Sequence, residues 1–255
     1  GQSRDLTPAQ TGFWVNTSAV SPDGAQVAYS WWSPDEQSEL RVTDLGGANH
    51  RTLVPKGEYL EPTDWSPDGR WLLVTAQTRA GNHLALVPAS GGPVRKIHKA
   101  RGQAWTVAAK FTADGKAIVF SQAQSESARE KDIYLLELGA DMDPVGAPVP
   151  LVQHPADDDF LAATPDGKGL LFLSDRQGTK DAWYLPLSGH RPAGEPVLAY
   201  RDLGAGQAFG VDRAGRFYFG GGGNESAIVY VADLDERAGK VTGTPVRALP
   251  RIGGW

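Results

Sequence analysis

The residues able to do chemistry are few and scattered. The densest acidic group is Asp157-Asp158-Asp159, three adjacent carboxylates able to hold a cation or a basic group of a partner. Two further segments, "ADMDPVG" (140–146) and "ADLDERAG" (232–239), each place two Asp two residues apart. Neither continues as a calcium loop, and both read as solvated turns. The five histidines, His50, His83, His98, His154 and His190, are spread along the chain, no two spaced as a metal pair. The nucleophile-elbow pattern G-x-S-x-G is absent. Zero cysteines exclude disulfides, thiol catalysis and thiolate metal sites. The reading is therefore no catalytic residue, no metal site and no cofactor, in a chain that is not an enzyme. The adjacent pair Trp31-Trp32 is expected in a loop after a hairpin, where an exposed ring suits a partner contact.

Bulk properties narrow the classes further. At 255 residues, with a 40% hydrophobic fraction, the chain can bury a sizeable core. The net charge is −5 and no basic cluster exists, which argues against nucleic acid. No run of 18 apolar residues is present, so no membrane-spanning helix is expected. The opening "GQSRDLTPAQ" is polar, without initiator Met or signal-peptide pattern, as expected of a processed or trimmed protein or a piece of a longer one.

The elements that must position these residues come from an internal repeat. The stretches "VSPDGAQVAYS", "WSPDGRWLLVT", "FTADGKAIVFS", "ATPDGKGLLFL" and "VDRAGRFYFGG" nearly copy one another. Their glycines, Gly24, Gly69, Gly115, Gly167 and Gly215, are 45, 46, 52 and 48 residues apart, the period of propeller blades. Each turn is followed by an apolar strand, a polar loop, a second strand such as "ELRVTDL" (39–45) or "DIYLLEL" (132–138), and a third. The strand before the turn is the fourth member. No segment shows a helical period; "SESAREKD" (125–132) reads as a loop or a single turn.

The predicted fold is all-β: a propeller of four-stranded antiparallel blades, either five-bladed or six-bladed with one blade incomplete. One domain, 1–255, is expected, with repeats near 11–55, 56–99, 104–154, 158–203 and 205–252. In the turn, Pro sets φ for a type I corner, Asp bonds back to the backbone, and Gly takes the left-handed conformation. Asp23, Asp68, Asp114 and Asp166 are thus structural, because an active site needs one acid rather than four equivalent ones. The flanking aromatics Trp65, Trp71, Phe111, Phe120, Phe172 and Tyr218 read as packing between blades. "FTADG" lacks the Pro and "VDRAG" both Pro and Asp, which should loosen those corners. "SPDE" (33–36) lacks the Gly and reads as a decoy.

The stretches "DWSPDGRWLLVTAQ" and "ATPDGKGLLFLSDRQGTKDAWYL" resemble the TolB-like propeller repeat, and the resemblance covers almost the whole chain. It implies a propeller that binds other proteins or forms the non-catalytic part of prolyl-oligopeptidase-like or tricorn-like peptidases, and on the resemblance alone a periplasmic or extracytoplasmic setting. It also implies a central channel. Asp157 and Asp158 would stand near its mouth, with Trp14, Asn16, Glu61, Trp105 and Gln207 from equivalent inner-strand positions, and Trp31 and Trp32 nearby. The expected partner is another protein, a peptide or a fused domain. An open ring would expose two sheet faces and favour association.

Overall fold

The computed structural model describes residues 6–7, 10–79, 81–102, 108–203, 208–221 and 228–248. Among them every regular element is a β-strand. The first sheet runs β1 (Trp14–Val20), β2 (Gln26–Trp32), β3 (Ser38–Asp44), β4 (Arg51–Val54), and the second β5 (Tyr59–Trp65), β6 (Trp71–Thr78), β7 (Gly81–Pro88), β8 (Arg95–Lys99). The third holds β9 (Ala109–Phe111), β10 (Ala117–Ala123), β11 (Lys131–Glu137) and β12 (Val149–Val152). The fourth holds β13 (Asp158–Ala163), β14 (Gly169–Ser174) and β15 (Asp181–Ser188). It adds the two-residue β16 (Arg191–Pro192) and β17 (Val197–Tyr200), both paired to β15. The fifth holds β18 (Ala208–Val211), β19 (Arg216–Gly221), β20 (Ile228–Asp235) and β21 (Lys240–Arg247). These are the five blades of a β-propeller.

Burial follows from that arrangement. A blade's middle strands are covered on both faces, so they read as continuous apolar runs rather than alternating ones. β10 (AIVFSQA) and β14 (GLLFLS) are buried along their whole length, whereas most residues of the outer strand β21 are exposed. Contacts divide the chain into two compact units. The first holds residues 1–118, 125–127 and 136–147; its core includes Leu40, Val42, Leu60, Trp65, Leu72 and Val74 from the first two blades. The second holds 119–124, 128–135 and 148–255; its core includes Leu171, Tyr184, Phe217, Phe219 and Leu234 from the last two. The Tyr184 ring lies so close to Gly169 and Gly239 that a Cβ on either would come within 2.2 Å of a ring atom.

The five corners share one backbone turn. Each Gly donates to the carbonyl three residues back, at 2.8–3.0 Å, with φ between 69° and 76°. At the second corner, Ser66 Oγ donates to Asp68 Oδ1 (2.6 Å), which also accepts the Arg70 amide (3.0 Å), while the Trp71 amide donates to Ser66 Oγ (2.9 Å). The first, third and fourth corners repeat this set with Ser21–Asp23, Thr112–Asp114 and Thr164–Asp166. One sequence expectation is corrected here. The fifth corner keeps its bonds: Asp212, standing where the others have Ser or Thr, accepts the amides of Ala214 (2.9 Å) and Arg216 (3.0 Å). "SPDE" lies in a loop after the first corner and marks no blade, as expected, but it is a turn of the same kind. It forms the same corner between β2 and β3, with Ser33 Oγ donating to Asp35 and the Glu36 amide to the Ser33 carbonyl (2.9 Å), and with Glu36 at φ 57° where the others carry Gly.

Of the flanking aromatics, Trp65, Phe111, Phe120 and Phe172 are buried. Trp71 is half-buried, with the Arg95 guanidinium 4.9 Å from its ring centre. Half-buried Tyr218 donates its hydroxyl to Asp212 Oδ2 at 3.1 Å.

Candidate functional site

The first unit holds five of the residues selected from sequence and brings four of them together, Trp14, Asn16, Trp32 and Glu61. Asn16 and Glu61 each stand five residues before a corner Ser, on β1 and β5. Asn16 Nδ2 donates to Glu61 Oε1 at 2.6 Å, and Glu61 is 1% exposed. Because side chains alternate along a strand, Tyr59 shares a face with Glu61, and Trp14 stands two residues before Asn16 on β1. Above the amide–carboxylate pair the aromatic residues form a rack: Trp14 stacks on Trp32 (5.9 Å, 15°), and Trp32 on Tyr59 (5.0 Å, 16°). Trp14 is 45% exposed. Among the described residues no hydrogen-bond partner reaches Trp32 Nε1 or Glu61 Oε2, both buried. Such orphaned polar atoms are rare in native proteins.

Trp31 and Trp32 are not in a loop, contrary to the sequence reading. They are the last residues of β2, because β1 begins early enough for Trp14 to pair with Trp32 and Val15 with Trp31. Their alternation separates them. Trp31 is 3% exposed, stacked on Phe13 (5.5 Å), edge-on to Tyr29 and 5.1 Å below the Arg41 guanidinium. It belongs to the packing; Trp32 belongs to the rack.

Beyond the rack, Tyr59 forms part of the wall of a cleft of about 770 Å³, bounded also by the β6–β7 hairpin and the segments that follow β4 and β8. Gln77, Arg79, Asn82 and Lys99 also line it. Sequence reasoning passed over all four. The available signal was the polar hairpin tip "QTRAGN" (77–82) facing the basic end of the next strand, "KIHKAR" (96–101).

The second unit holds Asp157 and Asp158 in a network of its own. Asp158 is 0% exposed and accepts from Arg176 Nη2 at 2.9 Å. Burial raises its carboxyl above the usual range, against bonds from Ser174 and Arg176 and the charges of Arg176 and His154. Arg176 also lies 5.0 Å from the Phe172 ring centre and 4.9 Å from that of Trp183. Asp157 accepts the Lys131 amide (3.1 Å), and Asp159 accepts from Lys131 Nζ (2.6 Å) and Ser121 Oγ (2.8 Å). Basic groups of the chain itself thus sit against the acidic run. Among the described residues no three His, Cys, Asp or Glu are grouped to hold a metal. Trp105 and Gln207 lie outside the described residues.

Five antiparallel blades, each turning on the same corner, define the class: a β-propeller. Solved structures carry the same fold. TolB from Acinetobacter baumannii matches with a TM-score of 0.68 at 16% identity, over 88% of this chain and 53% of that one. A protein assigned as TolB from Agrobacterium tumefaciens matches at 0.70 and 17% identity, over 96% and 84%. Prolyl oligopeptidase B from Galerina marginata matches at 0.62 and 15% identity, over 94% and 35%. The chain thus spans about half of the Acinetobacter TolB, 53%, and about a third of the oligopeptidase, 35%. No protein-family model and no curated protein matches the sequence.

Proposed function

We propose that this is a non-enzymatic binding propeller that recognises a peptide segment of another protein at the Trp14–Trp32–Tyr59 rack and the cleft beside it. The observation that carries the reading is the rack itself: an exposed Trp14 stacked on Trp32, which stacks in turn on Tyr59, beside a cleft of about 770 Å³. Exposed, pre-packed Trp and Tyr are the residues on which binding energy concentrates, because a rigid ring loses little entropy on association. Phage-displayed random peptides selected on the immobilised protein test it. One sequence class is expected to enrich and to lose about tenfold or more in affinity on Trp14→Ala or Tyr59→Ala. No enrichment, or binding indifferent to both substitutions, would overturn it.

A second reading is a substrate-gating propeller within a larger bacterial hydrolase, favoured by the match to prolyl oligopeptidase B over 35% of that chain. The parent reading frame tests it. A hydrolase domain encoded in frame is expected, and its absence removes this alternative.

A further inference from the structure

We infer that the cleft beside Tyr59 selects acidic peptides, taking a carboxylate between Arg79 and Lys99 while a neighbouring side chain lies against Tyr59. The proposal rests on the binding reading above and adds the chemistry of the ligand.

Arg79 rides on the tip of the β6–β7 hairpin, where Thr78 pairs with Gly81 and Thr78 Oγ1 donates to the Gly81 carbonyl (2.9 Å). Lys99 ends β8, paired through His83 to β7. Its stem passes over the hairpin: a Cβ on Gly81 would meet Lys99 Cε at 3.4 Å. The same glycine has φ 113°, a conformation other residues rarely adopt, so the tip is built to let Lys99 lie across it. Both cations therefore line one cleft, and both are exposed.

The charge balance decides what the cleft prefers. Two carboxylates also line it: Glu58 is neutralised by Lys96, whose Nζ donates to Oε1 at 2.6 Å, whereas Glu126 keeps its charge and accepts only the Gly102 amide at 3.5 Å, so the two cations leave the cleft with a net positive charge. Among the described residues neither Arg79 nor Lys99 has an ion-pair partner. Glu61 is not part of the described lining. What the cleft offers an incoming chain is thus two cations, Arg79 and Lys99, beside a half-buried aromatic ring. Arg presents a planar fork that matches a carboxylate, and Lys adds a mobile second charge. An acidic peptide with an aromatic or apolar neighbour meets both cations and the ring; a basic peptide meets a net positive charge.

The test uses two fluorescein-labelled peptides, Gly-Glu-Trp-Glu-Trp-Glu-Gly and its analogue with every Glu replaced by Gln, read by fluorescence polarisation at low and high salt. The acidic peptide is expected to bind about tenfold tighter than the neutral one, a margin that shrinks as salt rises. In the double variant Arg79→Gln/Lys99→Gln the margin should vanish. Both positions are exposed, and an unchanged melting curve shows that the fold is intact. Equal binding of the two peptides, a margin that survives the double variant, or binding of neither peptide would each overturn the proposal. If the neutral peptide binds as well as the acidic one and loses affinity on Tyr59→Ala, the binding reading stands and only the charge selection falls. If neither peptide binds and random peptides yield no enriched class, both fall.

Discussion

The two ends of a blade are built on different rules. At the end with the Ser/Thr-x-Asp-Gly corners, four blades make the same bonds from the same residue types, and the fifth makes equivalent ones with Asp212. At the opposite end the blades diverge. β1 and β5 contribute a Trp-Asn and a Tyr-Glu pair to the first unit, whereas β13 contributes an acidic run neutralised by Lys131 and Arg176 in the second. The charges differ in the same way. Asp68, at a corner, is held down to about 2, first by the Ser66 hydroxyl. Asp158, at the other end, is pushed up by burial. Residues that recur in every blade serve the fold; residues that a blade carries alone are free to serve recognition.

The sharpest way to break this contrast is to remove a tryptophan at each end. Trp65, beside a corner, is 4% exposed and donates Nε1 to the Ala19 carbonyl of the neighbouring blade at 3.0 Å. Trp65→Ala leaves a large cavity and an unsatisfied carbonyl, and is expected to cost about 4 kcal/mol in urea unfolding. Trp14→Ala, at a residue 45% exposed, should cost about 1 kcal/mol or less while removing peptide binding. Comparable losses of stability at both ends would remove the distinction.

How much of this was legible in the sequence follows the same division. The corner advertises itself because backbone geometry restricts it to a few residue types, and those recur at blade spacing. The blades and their strand order were therefore readable, down to strands such as Lys131–Glu137, anticipated at 132–138. The opposite end has no such rule. Asn16 and Glu61 were found because they occupy one repeat position, but the stacking of Trp14, Trp32 and Tyr59 depends on the β1–β2 register, which no local pattern encodes. Trp31 and Trp32 read alike in sequence and differ only by alternation once the strand's end is known. Arg79 comes from a hairpin turn and Lys99 from the end of a strand, and only the cleft relates them.

A smaller effect sharpens the electrostatic half of the comparison. Arg176, whose side chain is 12% exposed, pairs with a carboxylate that is fully buried. Arg176→Met keeps much of the packing over Phe172 and Trp183 but strands the Asp158 charge, at an expected cost of about 3 kcal/mol near neutral pH. The sign with pH follows from the raised carboxyl. Asp158 titrates above 3.8 in the folded protein, and higher still without Arg176, so protonation favours the folded form. The deficit of the variant should therefore shrink as pH falls from about 7 toward about 4.5. Asp68 behaves in the opposite sense: its stabilisation is present above 3.8 and is lost as pH falls through about 2. Urea midpoints at the two pH values decide; a deficit that does not change with pH would show that Arg176 acts by packing alone.

The smallest effect concerns the corner that imitates the others at the wrong end of a blade. Glu36 is exposed and sits at φ 57°, where the five repeat corners all use Gly. A non-glycine residue in the left-handed region costs about 1–2 kcal/mol, and Gly loses about 0.5–1 kcal/mol more entropy on folding than Ala. The difference favours Glu36→Gly by about 0.5–1 kcal/mol, or about 1–3 °C in Tm for a chain of this size. The Ser33–Asp35 corner makes the bonds of the other corners without their glycine, and it lies at the end of the first blade that also carries Trp14 and Trp32. If Glu36→Gly stabilises and leaves peptide binding unchanged, the corner is scaffold wherever it occurs, and the division between the two ends lies in their side chains rather than their turns. If it weakens binding instead, Glu36 belongs to the recognition surface, and a turn of the repeating type has been recruited to it.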